Sequence, residues 1–174
     1  MAEDSPAFDA DRRLQDPWPD AMPAVTPGSV HGALLANGRI PDPTIGQNQR
    51  IAEQASYKAW WFKRTFARPR GTARERLVFE GVCSSCSVWL NGRLLGTHKG
   101  MFGGPEYEIE GLLQDHNTLI VKLDPAEDWK TDVVFNNCYG WHYCKIPARG
   151  IWRPVRVEGA PTVRLDHPFA ATRN

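Results

Sequence analysis

The sequence predicts an all-β fold, a jelly-roll β-sandwich, on the strength of three observations. From Tyr57 onward, short segments alternate apolar with polar residues, which is the pattern of half-buried strands. Glycine, asparagine and proline turn signals separate these segments at short intervals, and no long helical pattern lies between them. Many short strands with tight turns are typical of a sandwich or jelly roll. At 174 residues, one domain is expected.

The strands follow one another in a regular order. YKAWWFKRTF and RERLVFEGV are the first two, and SVWLNGRLLG is a hairpin because Asn91-Gly92 is a strong turn signal. YEIEG, NTLIVKL and IWRPVRVEG continue the series, and PTVRLDH is a candidate eighth strand. Trp89 and Trp152 lie within these strands, and we expect both in the core.

The chain before the strands differs in composition. Four prolines fall between Pro17 and Pro27, and each fixes φ and lacks an N–H donor. We therefore expect residues 1–54 to form an irregular, Pro-rich, extended segment packed on the sandwich, which itself comprises residues 55–174. Within this segment, Val30–Gly38 predicts one or two helical turns ending at Gly38.

Charge and hydropathy exclude several classes of function. The net charge is +1 with no long basic block, so we expect no nucleic-acid or membrane partner. No apolar run approaches the roughly 20 residues of a transmembrane helix. The acidic start MAEDSPAFDADRR lacks the apolar core of a signal peptide, which makes the cytoplasm the expected compartment. No cofactor is expected.

Several segments together resemble the N-terminal sugar-binding domain of glycoside hydrolase family 2. They are WFKRTF, RLVFEGVCSSCSVWLNGRLLGTHKGMFGGPEYEIEGLL, NTLIVKLDP and GIWRPVRVEG, in this order. PGSVHGALLANGRIPDPTIGQNQ is most similar to the β-mannosidase branch. The resemblance implies a galactose-binding-domain-like jelly roll that acts as the non-catalytic, carbohydrate-binding front part of a glycosidase.

The resemblance also implies a partner domain. Family members carry their two catalytic carboxylates on a downstream (β/α)8 barrel, a fold of about 250 residues that does not fit within this chain. We therefore expect this chain alone not to be an enzyme, and no catalytic residue is assigned. The available carboxylates Glu80, Glu106, Glu108 and Glu110 are expected on solvated faces.

Family correspondence places a sugar site at one end of the sandwich. In the β-galactosidase and β-mannosidase branches, an Asn or Asp after the FEGV-like strand reaches the substrate, and Cys83 stands at that position here. A second family acid corresponds to Cys144 or, in a GWDW-like motif, to His142. Local chemistry adds side chains that bond or stack on sugars, and the substrate-binding set is Cys83, Asn136, Asn137, Trp141, His142, Tyr143 and Cys144. The loop from Lys99 to Pro105 is expected at the other end.

The cysteines leave three possibilities open. Cys83, Cys86, Cys138, His142 and Cys144 form a candidate zinc-ligand set, although C-x5-C is not a standard half-site. A Cys83–Cys144 disulfide is conceivable but unexpected in a reducing compartment. We favour reduced thiols, two of them buried as small hydrophobes.

Two other functions remain as alternatives to the glycosidase front domain. The chain is long enough for a free-standing carbohydrate-binding module. The altered residues at positions 83, 142 and 144 are also consistent with a structural or interaction sandwich that has lost sugar binding.

Overall fold

Two antiparallel sheets form the molecule in the computed structural model, which describes residues 1–4, 18, 20–70, 74–126, 146–159 and 168–173. The described elements, in chain order, are β1 (Ala2–Glu3), α1 (Val30–Ala36), α2 (Gln49–Ser56), β2 (Trp60–Ala67), β3 (Arg76–Phe79), β4 (Ser85–Leu90), β5 (Arg93–Lys99), β6 (Glu106–Glu108), β7 (His116–Leu123) and β8 (Val155–Glu158). The larger sheet has the order β1-β2-β7-β4-β5, and the smaller has the order β6-β3-β8.

The predicted strands from the first to the seventh are confirmed by these elements, whereas PTVRLDH lies outside the described residues. The β4–β5 hairpin turns at Asn91 and Gly92, whose φ angles are 50° and 83°. Both values are left-handed, as a two-residue hairpin turn requires. The Asn91 side chain adds a link to β7 by accepting a hydrogen bond from the Thr118 N–H at 2.9 Å.

The core lies between the two sheets. Along β4, Cys86, Val88 and Leu90 are buried, while the intervening residues are only partly buried. β3 contributes Leu77 and Phe79 to the same cluster. Period-2 alternation therefore places one face of each sheet on a shared apolar layer, as a sandwich requires.

The prediction that Trp89 and Trp152 are core residues needs correction, because both are only partly buried. Trp89 lies on the outer face of the larger sheet, where its ring centroid is 5.5 Å from that of Trp61. Ala2, Trp18 and Ile120 complete this smaller cluster. An alternating strand sends every second residue to the outer face, and Trp89 alternates with the buried Val88 and Leu90.

The N-terminal segment differs from the extended chain that its prolines suggested. The helix expected at Val30–Gly38 is present as α1; the Ser29 hydroxyl caps it by accepting from the Gly32 N–H at 2.9 Å, and Gly38 follows with φ 65°. A second helix, α2, occupies chain that was expected to be irregular. Its buried face consists of Ala52, Ala55 and Ser56, small residues that let it lie close to the sandwich.

Candidate functional site

One end of the sandwich brings together loops that are distant in sequence; we call it the site end and define it as residues 80–85, 99–105, 124–126 and 146–154. Cys83 and Gly150 form an isolated antiparallel bridge, with N–H···O distances of 2.9 and 3.0 Å. The Asp124 N–H donates to Ser85 O at 3.0 Å. The chain after β3, the chain after β7 and the chain before β8 therefore meet here.

The loop from Lys99 to Pro105 also belongs to the site end, and its expected placement at the opposite end was wrong. β4 and β5 are antiparallel with Ser85 paired to Lys99, so the start of one strand lies beside the end of the other. The Gly100 N–H donates to Ser84 O at 2.9 Å, directly next to Cys83.

The N-terminal segment packs tightly against the chain before β8. The Gly28 N–H donates to Ile151 O at 2.8 Å, and the Val30 N–H donates to Arg149 O at 2.9 Å. Between these bonds, a Cβ atom on Gly150 would lie 2.3 Å from Gly28 O. Only glycine permits this approach, so the N-terminal segment and the Cys83–Gly150 bridge form one layer.

Ser56, at the end of α2, joins both flanks of the stretch 127–145. Its backbone carbonyl accepts from the Ala126 N–H at 2.7 Å, and its hydroxyl donates to Pro147 O at 2.7 Å. The residue has no exposed surface. One buried serine therefore fixes the points at which this stretch leaves and rejoins the described chain.

His31 in α1 extends this network. Its Nε2 lies 3.1 Å from Ala52 O and 3.1 Å from the Ser56 hydroxyl oxygen. A carbonyl oxygen can only accept, so Nε2 carries the proton and donates. Burial lowers the pKa of His31, and the positive charge of Arg149 lowers it further, while the bond to Ala52 O opposes both. Arg149 itself is 1% exposed and donates from Nη1 to Ala148 O at 2.8 Å.

Only one member of the predicted substrate-binding set can be placed. Cys83 is 2% exposed, and its Sγ donates to Ala148 O at 3.1 Å. The remaining members lie outside the described residues: Asn136, Asn137, Trp141, His142, Tyr143 and Cys144. Their role in binding stays a prediction.

The candidate zinc-ligand set cannot be placed as a whole, because Cys138, His142 and Cys144 lie outside the described residues. In the described part of the chain, no group of three or more His, Cys, Asp and Glu side chains is arranged to hold a metal. Cys86 packs in the main core, and burial raises the pKa of its thiol to about 12, with the nearby Asp124 charge adding to the shift. Cys86 thus behaves as a small apolar residue.

Two of the carboxylates that the sequence offered as possible catalytic groups, Glu80 and Glu106, form ion pairs with arginines. Arg156 forms ion pairs with Glu80 and with Glu158, the latter at 2.5 Å. Arg76 pairs with Glu106 at 2.5 Å and with Glu158 at 3.3 Å. Glu106, Glu108 and Glu110 are exposed, as expected, and Glu80 is partly buried. This arrangement is a chain of surface ion pairs across the smaller sheet.

Sequence reasoning did not identify Arg149 of the site end, nor Ser56 and His31, which contact the site end directly or through Ser56. His31 lies in α1 and Ser56 in α2, and the hydrogen bond from Ser56 to Pro147 joins residues 91 positions apart in the sequence. The VH pair within PGSVHGALLANG was the only local signal. It marked the family branch and carried no information about a contact.

Two layered antiparallel sheets with long connections gathered at one end define the class of jelly-roll domains, so the predicted fold class is confirmed. Residues 8–159 match the family described as glycosyl hydrolase 2 galactose-binding domain-like. The chain belongs to this family. Within the described residues, no helix has the length and apolar character to cross a membrane.

Individual relatives are glycosidases much longer than this chain. The chain is 26% identical to beta-mannosidase B of Neosartorya fischeri, over 86% of this chain and 21% of the relative. It is 30% identical to an exo-beta-D-glucosaminidase of Streptomyces avermitilis, over 86% of this chain and 18% of the relative. The beta-D-mannosidase structure from Dictyoglomus thermophilum superposes with a TM-score of 0.71 at 25% identity, covering 78% of this chain and 20% of that one. The chain thus spans about a fifth of the length of these relatives.

Proposed function

We propose that this chain is the non-catalytic, carbohydrate-binding N-terminal domain of a larger family 2 glycosidase, and that sugar binds at the site end. The observation that carries the proposal is the Cys83–Gly150 bridge. It joins the position after the FEGV-like strand to the first residue of GIWRPV. The resemblance draws its sugar-binding residues from the first of these positions and from the loop a few residues before GIWRPV.

The anchoring by Ser56 supports the same location. Ala126 and Pro147 are both bonded to this residue at the site end. They flank the stretch that carries Asn136, Asn137, Trp141, His142 and Tyr143. Amide, imidazole and aromatic groups together provide the combination of hydrogen bonds and apolar faces that small-ligand sites use.

The parent protein is proposed to hydrolyse β-glycosides on a catalytic barrel downstream of this domain. The named relatives are beta-mannosidases and an exo-beta-D-glucosaminidase, and this domain spans about a fifth of each. A barrel needs about 250 residues, which the remaining length of such proteins accommodates. The site end would then supply only part of a pocket, and we expect a Kd in the millimolar range, about 4 kcal/mol of binding free energy.

The test is a titration of the purified chain with mannose, glucosamine, galactose and glucuronate, followed by amide chemical shifts. We expect shifts at Cys83, Ser84 and Gly150, with the flanking residues Ala126 and Ala148 as secondary reporters. The amide of Asn91, at the opposite end of β4, is the internal control and should not move. Absence of saturable shifts with every sugar at about 50 mM, well above a millimolar Kd, would reject sugar binding.

A specific observation favours a second candidate, a structural sandwich that has lost sugar binding. The Cys83 thiol donates to Ala148 O and is 2% exposed, so in this conformation it bonds to backbone and offers little surface to a ligand. A thiol is also a weaker hydrogen-bonding group than the Asn or Asp of the resembling branches. Replacing Cys83 with Asn distinguishes the two: restored binding only in the variant identifies a domain that has lost the function.

A further inference from the structure

We propose that Phe102 is a second carbohydrate platform, which contacts the sugar unit adjacent to the one held near Cys83. This inference rests on the proposed function and names the ligand it takes: a β-linked disaccharide or longer chain. Phe102 lies on the loop between β5 and β6, and 69% of its surface is exposed. It was not among the residues that the sequence indicated.

Backbone contacts on both sides of Phe102 hold this loop in place. On one side, the Gly100 N–H donates to Ser84 O at 2.9 Å. On the other, a Cβ atom on Gly104 would lie 2.2 Å from Phe79 O, so the loop rests directly on β3. The Phe79 N–H then donates to Pro105 O at 3.0 Å. An exposed aromatic ring on a loop with this many anchors loses little conformational entropy when it binds.

Trp152 provides a third anchor next to Phe102. Its indole N–H donates to Met101 O at 3.2 Å. The guanidinium of Arg153 stacks over the Trp152 ring, 4.7 Å from the centroid. Arg153 is itself exposed, so its N–H donors remain in solvent beside the loop. An aromatic face and a fixed set of donors on neighbouring segments match the mixed apolar and hydroxyl surface of a sugar.

The Cys83 position is buried and Phe102 is exposed, so the two positions are assigned to different sugar units. Cys83 and Ser84 are 2% and 1% exposed, so they lie within the end of the sandwich, whereas Phe102 stands out from it. Gly100 links the two positions through its bond to Ser84. A ligand that reaches both therefore has one recessed unit and one outer unit. Because phenylalanine carries no hydrogen-bonding group, it favours an apolar ring face without selecting among hydroxyl configurations.

The experiment compares mannose with β-1,4-linked mannobiose in amide-shift titrations of the full chain. Mannobiose should shift the Gly103 and Gly104 amides and bind more tightly than mannose, whereas mannose should leave these amides unmoved. Phe102→Ala should weaken mannobiose binding by about fivefold, the typical contribution of an aromatic contact, and leave mannose binding unchanged. Phe102→Trp should strengthen mannobiose binding, because its ring is larger.

Phe169→Ala is the matched control, since this phenylalanine is 91% exposed and lies outside the loop. It should change neither affinity, and all three variants should keep the parent melting temperature. Saturable binding in which mannobiose shifts neither Gly103 nor Gly104, or equal mannobiose affinity of Phe102→Ala and the parent chain, would overturn the platform while leaving the proposed function intact. Absence of binding by either sugar would overturn both.

Discussion

Ser56 is the residue on which the geometry of the site end depends most directly. Its hydroxyl donates a hydrogen bond to the buried Pro147 carbonyl, and its own carbonyl accepts one from the Ala126 N–H. A buried carbonyl that loses its donor incurs the cost of desolvation without compensation. The hydroxyl therefore stabilises both the fold and the position of the chain before β8.

We predict that Ser56→Ala lowers the free energy of unfolding by about 1–3 kcal/mol, the cost of an unsatisfied buried polar group. Urea denaturation measures this change. Thr44→Ala is the control, because its hydroxyl is exposed and bonds only to Asp42 within the same turn. Equal effects of the two substitutions would contradict the assigned role of Ser56.

His31 gives the molecule a pH dependence that can be assigned to one residue. Its pKa in the folded state lies below the ordinary value of 6.5, chiefly because of burial. As pH falls below 6.5, the unfolded chain takes up a proton that the folded chain does not. Stability is therefore expected to decrease as pH drops from 6.5 towards the lower folded pKa, by at most about 1.4 kcal/mol per pH unit for one proton.

The prediction is that His31→Gln reduces the loss of stability between neutral and mildly acidic pH. Glutamine keeps an N–H donor for Ala52 O but does not titrate. Urea denaturation at several pH values measures the slope, with His116→Gln as the control because His116 is exposed. A slope that is unchanged by His31→Gln and reduced by His116→Gln would show that the buried imidazole is not responsible.

At the level of elements, the chain at the start of α1 packs against the site end through a close backbone contact at Gly150 that only glycine allows. The Cβ position of Gly150 is 2.3 Å from Gly28 O and 2.7 Å from Ser29 Cα, and both are backbone atoms that cannot rotate away. Bonds from Gly28 and Val30 flank this contact. The packing of α1 and the position of Gly150 are consequently coupled.

We predict that Gly150→Ala destabilises the protein by about 1–3 kcal/mol through overpacking and moves the amides of Gly28 and Val30. Gly32→Ala is the control, since its added Cβ would meet only the Ser29 side-chain oxygen, at 3.2 Å, and alanine favours a helix. Urea denaturation and amide shifts give the two readouts. Retained stability together with unmoved Gly28 and Val30 amides would show that the two segments are not coupled.

The sequence predicted well those elements whose conformation is determined by a few adjacent residues. The hairpin at Asn91-Gly92 followed from a dipeptide whose backbone preference determines the turn. By contrast, α2 was missed because its buried face consists of alanines and a serine, so no large apolar side chains mark that face in the sequence. Nearby prolines also masked the helical pattern. The stability of α2 comes from packing on the sandwich, and a single segment does not reveal this.

At the scale of the whole molecule, the sequence indicated the family and the end of the sandwich at which the chain after β3 meets the chain before β8. It did not indicate the full set of residues at that end. The Cys83 position followed from the family motif. His31, Ser56 and Phe102 did not, because their proximity to that motif depends on strand register and on packing of distant segments. The register Ser85↔Lys99 is what brings the Phe102 loop to the site end. Periodicity alone leaves that register open.

Catalysis by this domain depends on how its carboxylates are positioned and paired. Retaining glycosidases need two carboxyl groups about 5 Å apart, one as nucleophile and one as acid/base. Among the described residues, Glu80 pairs with Arg156, and Glu106 pairs with Arg76. Both carboxylates are therefore engaged by arginines of the smaller sheet and not with each other. The purified chain is therefore expected not to hydrolyse nitrophenyl β-mannoside, β-galactoside or β-glucuronide, as measured by nitrophenol release over many hours. Turnover above the buffer rate that is lost in both Glu80→Gln and Glu106→Gln, but kept in Glu110→Gln, would place a catalytic pair in this domain and overturn its assignment as non-catalytic.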